Sequence, residues 1–223
     1  YKNGVIKDLG TLGGNTSQAY GINERGQVVG YAETEFDTAN AFLYENGEMI
    51  NLGTLGGITS HAAAINNNGQ IVGFSGTESG TMHAFLYENG IMTDLGTLGG
   101  NTSHATGINE KGQIVGFSET DSGSVHAFLY ENGEMKDLGT LGGNTSNAFG
   151  INNTGQIVGY SELSNGAAHA FVFGNGEMTD LGTLTGYGSS YALSINNRGQ
   201  IVGWSDLVSG LREAVLWSPV SRQ

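Results

Sequence analysis

Three copies of the tripeptide Asn-Thr-Ser are the first residues in this 223-residue chain that could do chemistry. They begin at Asn15, Asn101 and Asn144, each directly after a Gly-Gly pair. Amide and hydroxyl groups both donate and accept hydrogen bonds, which suits them to bind the hydroxyls of a sugar. The same groups can instead tie a Gly-rich loop to its own backbone. The sequence leaves both interpretations open, and we expect these segments to be loops.

Rings near these segments could widen a binding surface. Tyr20 and Phe149 lie a few residues beyond these segments and vary between copies. His61 and His104 directly follow Thr-Ser pairs, where we favour hydrogen bonding at a strand end. Rings that differ between otherwise similar copies suit a ligand better than a repeated core. The candidate ligand-binding residues are Asn15, Thr16, Ser17, Tyr20, His61, Asn101, Thr102, Ser103, His104, Asn144, Thr145, Ser146, Phe149, Tyr187 and Tyr191.

The remaining histidines and the acidic residues give a weaker signal for chemistry. His83, His126 and His169 recur at one position, but other copies place Asn40 or Glu213 there, so we predict strand-end hydrogen bonding and no metal site or cofactor. Glycosidases need two carboxylates at a defined separation in one pocket, whereas the acidic residues here are spread over the copies. No nucleophile elbow, P-loop or His-Glu-x-x-His segment occurs. The sequence therefore favours a protein without catalysis, with no catalytic residue assigned.

Composition excludes several partners. Eight Lys and Arg against 21 Asp and Glu give a net charge of −13. Nucleic acid and anionic lipid are bound through clustered basic residues, and this chain has no such cluster. The chain contains no Cys, so disulfides and zinc–thiolate sites are impossible. No apolar run is long enough to span a bilayer, so we predict no nucleic-acid partner and no membrane insertion.

The whole chain is built from a repeat. Leu-Gly-Thr begins at Leu9, Leu52, Leu95, Leu138 and Leu181, in steps of 43 residues. One copy predicts four short strands, here at 104–109, 113–119, 126–131 and 134–139, with tight turns at Asn-x-x-Gly and Asn-Gly. No segment has the 3.6-residue period of a helix. Four strands in about 43 residues is typical of one β-propeller blade.

The two ends of the chain predict how the blades close. Residues 1–10 match the fourth strand of a copy, at 130–139, and residues 211–218 match a third strand, at 125–132. We therefore predict an all-β, five-bladed propeller of four antiparallel strands per blade, closed by an N-terminal strand that completes the last blade. It would form one domain over residues 1–223, and we expect a monomer. An open β-solenoid is the alternative.

Three motifs resemble a known family. Leu-Gly-Thr-Leu-Gly-Gly, Gly-Ile-Asn-x-x-Gly-Gln-Ile-Val-Gly and His-Ala-Phe-Leu-Tyr recur at fixed spacing and are similar to the bacterial HAF repeat, described as a probable extracellular repeat. The resemblance covers essentially the whole chain. It implies an exported or cell-surface protein, and it carries over no catalytic or ligand residues.

Near-identical copies favour several equivalent weak sites over one catalytic centre. We expect a non-catalytic extracellular module that recognises carbohydrate or a cell-surface polymer through repeated loops on one face. One alternative is a structural or protein-interaction scaffold without a small ligand. Another is a glycan-active enzyme that uses carboxylates near the propeller axis.

Overall fold

The chain forms consecutive antiparallel β-units. The computed structural model describes residues 4–219, and all regular secondary structure in that range is β-strand. Five units follow one another, and we number them 1 to 5. Their strands are β1 (Gly13–Ile22), β2 (Val28–Thr34), β3 (Ala39–Glu45) and β4 (Glu48–Asn51) in unit 1; β5 (Gly56–Ile65), β6 (Ile71–Thr77), β7 (Met82–Glu88) and β8 (Ile91–Asp94) in unit 2; β9 (Gly99–Ile108), β10 (Ile114–Thr120), β11 (Val125–Glu131) and β12 (Glu134–Asp137) in unit 3; β13 (Gly142–Ile151), β14 (Ile157–Leu163), β15 (Ala168–Gly174) and β16 (Glu177–Asp180) in unit 4; and β17 (Ser190–Ile195), β18 (Ile201–Asp206) and β19 (Arg212–Trp217) in unit 5.

Turn chemistry shapes each unit as the sequence predicts. In unit 3, Asn132 and Gly133 have φ angles of 54° and 82°. Two successive residues with positive φ form the tight hairpin turn that matches strand twist, so β11 returns directly into β12. Ile114 and Val115 of β10 are both fully buried. They are adjacent and point to opposite faces of the sheet, so both faces of the unit are covered.

The Gly-Gly-Asn-Thr-Ser segments are strand, which corrects our expectation of loops. β9 begins at Gly99 and pairs antiparallel with β10 from there to its end. The register shifts between Gly99 and Ser103, where a bulge takes up the extra residues. Glycine content predicts a loop, but here it permits close packing, because a Cβ at Gly100 would lie 2.5 Å from the Glu119 side chain.

Apolar side chains of neighbouring units form one core at each junction. Between units 2 and 3, Val72 and Ala84 pack against Ala105, Ile114 and Phe128. None of these five is more than 1% exposed. Burying a side chain the size of Val, Ile or Phe stabilises a fold by about 1.5–3 kcal/mol. Each unit is therefore stabilised mainly by the apolar side chains that it buries against its neighbours.

Two kinds of buried polar side chain also cross each junction. The Ser103 hydroxyl accepts a hydrogen bond from the Ala84 N–H at 2.8 Å and donates to the Gly96 carbonyl at 2.5 Å. Beyond the other end of the first strands, Asn66 donates through Nδ2 to the Asn109 carbonyl of the next unit at 3.0 Å. Equivalent bonds occur at the other junctions. Because buried polar groups need partners, these bonds fix how one unit sits on the next.

The described sheets do not close into a ring, which corrects the predicted closure. Within residues 4–219, unit 5 has three strands, and no β-pairing joins β19 to the N-terminal segment. Residues 5–11 form no strand, and Leu9 and Leu12 pack beside Phe42 of unit 1. Units 2 to 4 join in one 12-stranded sheet through the parallel pairs β7–β9 and β11–β13, whereas units 1 and 5 form sheets of their own. The all-β prediction is confirmed, whereas a closed five-bladed ring is not shown.

Candidate functional site

A row of stacked rings crosses units 1 to 3 beside the first strands. Tyr31 of unit 1 stacks on His61 of unit 2 with ring centroids 4.3 Å apart, and His61 stacks on Phe74 of its own unit at 4.9 Å. Phe74 then contacts His104 of unit 3 at 4.2 Å, and His104 stacks on Phe117 at 5.0 Å. The row thus takes one ring from the second strand of each of the three units and one from the first strands of units 2 and 3, whereas Gln18 stands at this position in unit 1.

The row resumes in units 4 and 5 after one interruption. Asn147 stands at the position of His104 and donates a hydrogen bond to the Tyr160 hydroxyl at 2.5 Å. Tyr160 stacks on Tyr191 of unit 5 at 4.2 Å, and Tyr191 stacks on Trp204 at 4.3 Å. The Arg212 guanidinium lies 3.4 Å from the centroid of Trp204. A cation over an indole face is a favourable contact, and the Asp206 carboxylate, 3.5 Å from Arg212 Nε, offsets the charge at this end of the row.

A glycine in each second strand lets the first and second strands of a unit approach closely beside the row. Gly73 of β6 lies opposite Ala62 of β5, and β5 bulges between Ala62 and Ala64. A Cβ at Gly73 would overlap the His61 carbonyl oxygen. Only glycine therefore lets the two backbones approach as they do. The sequence signal for the row is the glycine before the aromatic residue in each second strand. The equivalent positions are Gly30, Gly116, Gly159 and Gly203.

A groove opens at the unit 1 end of the row. It has a volume of about 350 Å³ and is lined by Tyr20, His61, Ala63 and Phe74 among others. Tyr20 is 52% exposed, and its ring centroid lies 6.0 Å from that of Tyr31. The walls of the groove are therefore two protein rings, one imidazole and small aliphatic side chains, which is a surface that an apolar ring face can contact.

Burial keeps the row uncharged over most of its length. Burial lowers the pKa of His61, and burial together with the neighbouring His61 lowers the pKa of His104. Both imidazoles are therefore neutral near pH 7, because burial disfavours the charged form. Burial likewise raises the pKa of the Tyr160 and Tyr191 phenols, which stay protonated.

The structure brings some of the predicted ring residues together. Tyr20 and His61 line the same groove, and His104 and Tyr191 belong to the row. Phe149 contacts Tyr160 at 5.8 Å, beside the row. Tyr187 lies in the segment before β17 and is 73% exposed. It does not belong to the row and stacks on none of its described rings. Ligand binding by these residues remains a prediction.

The predicted serines have a structural task instead. Ser103 and Ser146 are fully buried, and each links two units through the bonds described above. Ser17 is exposed and donates to the Gly10 carbonyl at 2.7 Å. Both hydroxyls are therefore buried and already paired within the fold, as the local interpretation expects, and ligand binding by Ser103 and Ser146 stays a prediction.

The asparagines and threonines lie at the edge of each unit. The side chains of Asn15, Asn101, Asn144 and Thr16 are exposed, while Thr102 and Thr145 are half-buried. The backbone N–H groups of Asn15 and Asn101 donate to the carboxylates of Glu33 and Glu119 at 3.1 and 2.9 Å. These acidic residues of the second strands thus hold the bulged segment in place.

A second cavity, of about 380 Å³, lies at the Asn-x-x-Gly turns of units 1 to 3. It is lined by Asn23, Glu24, Asn67 and Glu110 among others. The Glu110 carboxylate already accepts hydrogen bonds from the Asn67 N–H and Nδ2. Across residues 4–219, no group of three or more His, Asp or Glu side chains is placed to hold a metal ion.

Comparison with known proteins shows the fold but no family. No family profile matches the sequence, so the resemblance to HAF repeats stays a prediction. No curated protein matches it either. Among solved structures, TolB from Acinetobacter baumannii superposes with a TM-score of 0.61 at 14% identity, covering 90% of this chain and 52% of that one. The chain thus spans about half the length of TolB.

Two further structures are similar. A mutant of AofleA from Arthrobotrys oligospora gives a TM-score of 0.50 at 11% identity, covering 96% of this chain and 72% of that one. The Aleuria aurantia lectin, described as a six-bladed β-propeller that recognises fucose, gives 0.43 at 12% identity over 90% and 73%. The chain is all-β with propeller-type neighbours, and none of the described segments is a helix long and apolar enough to cross a membrane.

Proposed function

We propose that this chain is a non-catalytic binding module that recognises carbohydrate or a cell-surface polymer. The observation that carries the proposal is the groove of about 350 Å³ at the end of the ring row, with the half-exposed Tyr20 as its outer wall. Pockets for small ligands begin at about 300 Å³ and combine apolar or aromatic walls with a few polar groups. Here Gln18, whose Oε1 lies 3.2 Å from the Tyr20 hydroxyl, supplies a polar group beside the rings.

The chemistry of the groove favours a sugar over an ion or a nucleotide. Its rings are neutral, because burial holds His61 in its uncharged form. A sugar ring presents C–H groups on one face and hydroxyls on its rim, so it can stack on Tyr20 while its hydroxyls reach amides. A phosphate group would instead need basic side chains, and the chain has a net charge of −13.

The repeat architecture supports weak binding at more than one place. Exposed amides recur at the strand edges at Asn15, Asn101 and Asn144. Several weak contacts along one polymer give useful avidity without a strong single site. We place the protein outside the cell or at the cell surface on the basis of the resemblance to HAF repeats.

The test is a glycan and polysaccharide binding screen, followed by calorimetry of any hit with Tyr20→Ala. We expect Y20A to weaken binding by about tenfold, equivalent to the loss of one stacked ring at about 1.4 kcal/mol. Phe36→Ala is the matched control, because Phe36 is 78% exposed and lies outside the groove. It should leave affinity unchanged.

The other outcomes of the screen and the titration would favour other sites or functions. Equal affinity for Y20A and the unaltered chain would place the ligand elsewhere. A blank screen across sugars and polymers would favour the scaffold alternative. Turnover of a glycan during the titration would favour the enzyme alternative.

A further inference from the structure

The outer face of unit 5 is an unfinished junction. Val202 of β18 is 48% exposed. The residues at the same position of the other units are all fully buried by the unit that follows; they are Val29, Val72, Val115 and Val158. Leu193 and Leu216 lie on the strands beside β18 and are 48% and 60% exposed. Unit 5 thus exposes one half of a junction. At the four internal junctions, the following unit covers this half.

The outer face of unit 1 is the other half. Ile22 is 70% exposed, whereas Ile65, at the same position of unit 2, is 9% exposed and packs with Val29 in the junction core. Ala19 is exposed, whereas its counterpart Ala62 is fully buried. Both complementary halves therefore exist on one molecule, at opposite ends of the row of units.

A backbone match accompanies the apolar one. In unit 4, β16 pairs with β15 and the Leu181 N–H continues the ladder by donating to the Ala170 carbonyl at 2.9 Å. Residues 5–9 correspond to β16 and Leu181 in the repeat, yet they pair with no strand. β19 corresponds to β15 and has β18 as its described partner. Transferring the register of β15 and β16 places Leu216 opposite Lys7.

We propose that the unit 5 face of one molecule binds the unit 1 face of a second copy of this chain, head to tail. Residues 5–9 of the second copy then add a fourth strand to β19, and Ile22 and Ala19 cover Val202. The occupant is argued from the four internal junctions. All four share a buried valine, a serine hydroxyl that accepts from a backbone N–H, and an asparagine that donates to the next unit. Such a contact uses two different surfaces, so it can continue into larger assemblies. The protein would then assemble, where the sequence predicts a monomer.

Net charge sets the conditions for the assembly. Two copies at −13 repel each other, and salt screens that repulsion, with a Debye length of about 8 Å at 0.15 M. Association should therefore strengthen as salt is raised, because the apolar contact is not screened.

Cross-linking tests the register, since the chain has no cysteine of its own. In Lys7→Cys/Leu216→Cys, oxidation should give a ladder of linked chains that grows with protein concentration. The matched control is Lys7→Cys/Val172→Cys, because Val172 stands at the position of Leu216 but already faces Thr179. It should give no ladder. An intramolecular bond in K7C/L216C would show ring closure within one chain and overturn the proposal, as would absence of any cross-link.

Light scattering of the cysteine-free chain provides a second measurement. We expect the average mass to rise with concentration and salt, and Val202→Glu to return it to that of one chain. Because Val202 is half-exposed in the single chain, V202E should keep the far-UV circular dichroism spectrum unchanged. A single-chain mass at every concentration of the unaltered protein would overturn the proposal.

Discussion

The asparagines buried at the Asn-x-x-Gly turns of units 2 to 4 should be the most sensitive polar residues in the fold. Asn109 is 3% exposed and makes four hydrogen bonds. Its Nδ2 donates to Gln113 Oε1 at 2.7 Å and to the Asn152 carbonyl of the next unit at 3.0 Å. Its Oδ1 accepts from the N–H groups of Lys111 and Gln113, both at 3.0 Å. One side chain thus holds a turn and a junction together.

Asn109→Ala should lower the free energy of unfolding by about 3–4 kcal/mol. Each lost hydrogen bond contributes about 1 kcal/mol, and the Asn152 carbonyl is left buried without a donor. Asn196→Ala is the matched control. Asn196 makes the same three bonds within its turn but is exposed, and residues 4–219 offer it no following unit. Because water can replace those three bonds, N196A should cost about 1 kcal/mol.

Urea unfolding of both variants, followed by far-UV circular dichroism, measures the difference. Tryptophan fluorescence serves as a local reporter, because Trp204 and Trp217 both lie in unit 5. A loss for N109A that exceeds that for N196A by about 2–3 kcal/mol supports the role of the junction bond. Equal losses would refute it and assign the stabilisation to the turn alone.

Two further predictions concern the ring row. Folding lowers the pKa of His61 and His104 from the usual 6.5. As the pH falls, the unfolded chain therefore takes up protons before the folded chain does. The stability that these histidines allow should be full above pH 6.5 and should fall as the pH drops below it. His61→Tyr/His104→Tyr, which copies the residue of unit 5, should flatten this part of a pH series of urea midpoints, and an unchanged slope would exclude the two histidines as its cause. Gly116→Ala should unfold the chain or cost more than about 3 kcal/mol, since its Cβ would overlap the His104 carbonyl oxygen. Gly123→Ala, at a turn with open space around it, should cost only about 1 kcal/mol by thermal melting, and similar losses for the two would contradict the packing argument.

The fold could be predicted from the sequence wherever a local rule decides it. The Asn-Gly turns and the 43-residue period fix where each strand of a unit begins and ends, and the strand positions of unit 3 match within a few residues apart from β9. The start of β9 could not be predicted, because Gly99 and Gly100 read as loop until their pairing with β10 and the preceding unit is known. The prediction of a closed ring is not confirmed, for a related reason. Matching sequences at the two ends give the strand types, but the rotation between units decides whether the ends meet.

The candidate site was predictable only in part. Tyr20 is predictable because its ring varies between repeats, and His61 because it follows a Thr-Ser pair. Ser103 was included for its hydroxyl, and only the structure shows that Ala84 and Gly96 already occupy it. The ring row itself joins residues from different repeats across the junctions, which no spacing within a single repeat can display.

The junctions have an evolutionary consequence. Each internal unit makes its core and its buried hydrogen bonds with the unit before it and the unit after it. Removing or inserting one complete 43-residue copy would therefore restore the same contacts on either side of the change. Near-identical coding repeats recombine out of register, and such exchanges alter length by whole copies. Descendants of this gene should accordingly differ in the number of units far more readily than in the sequence of a junction.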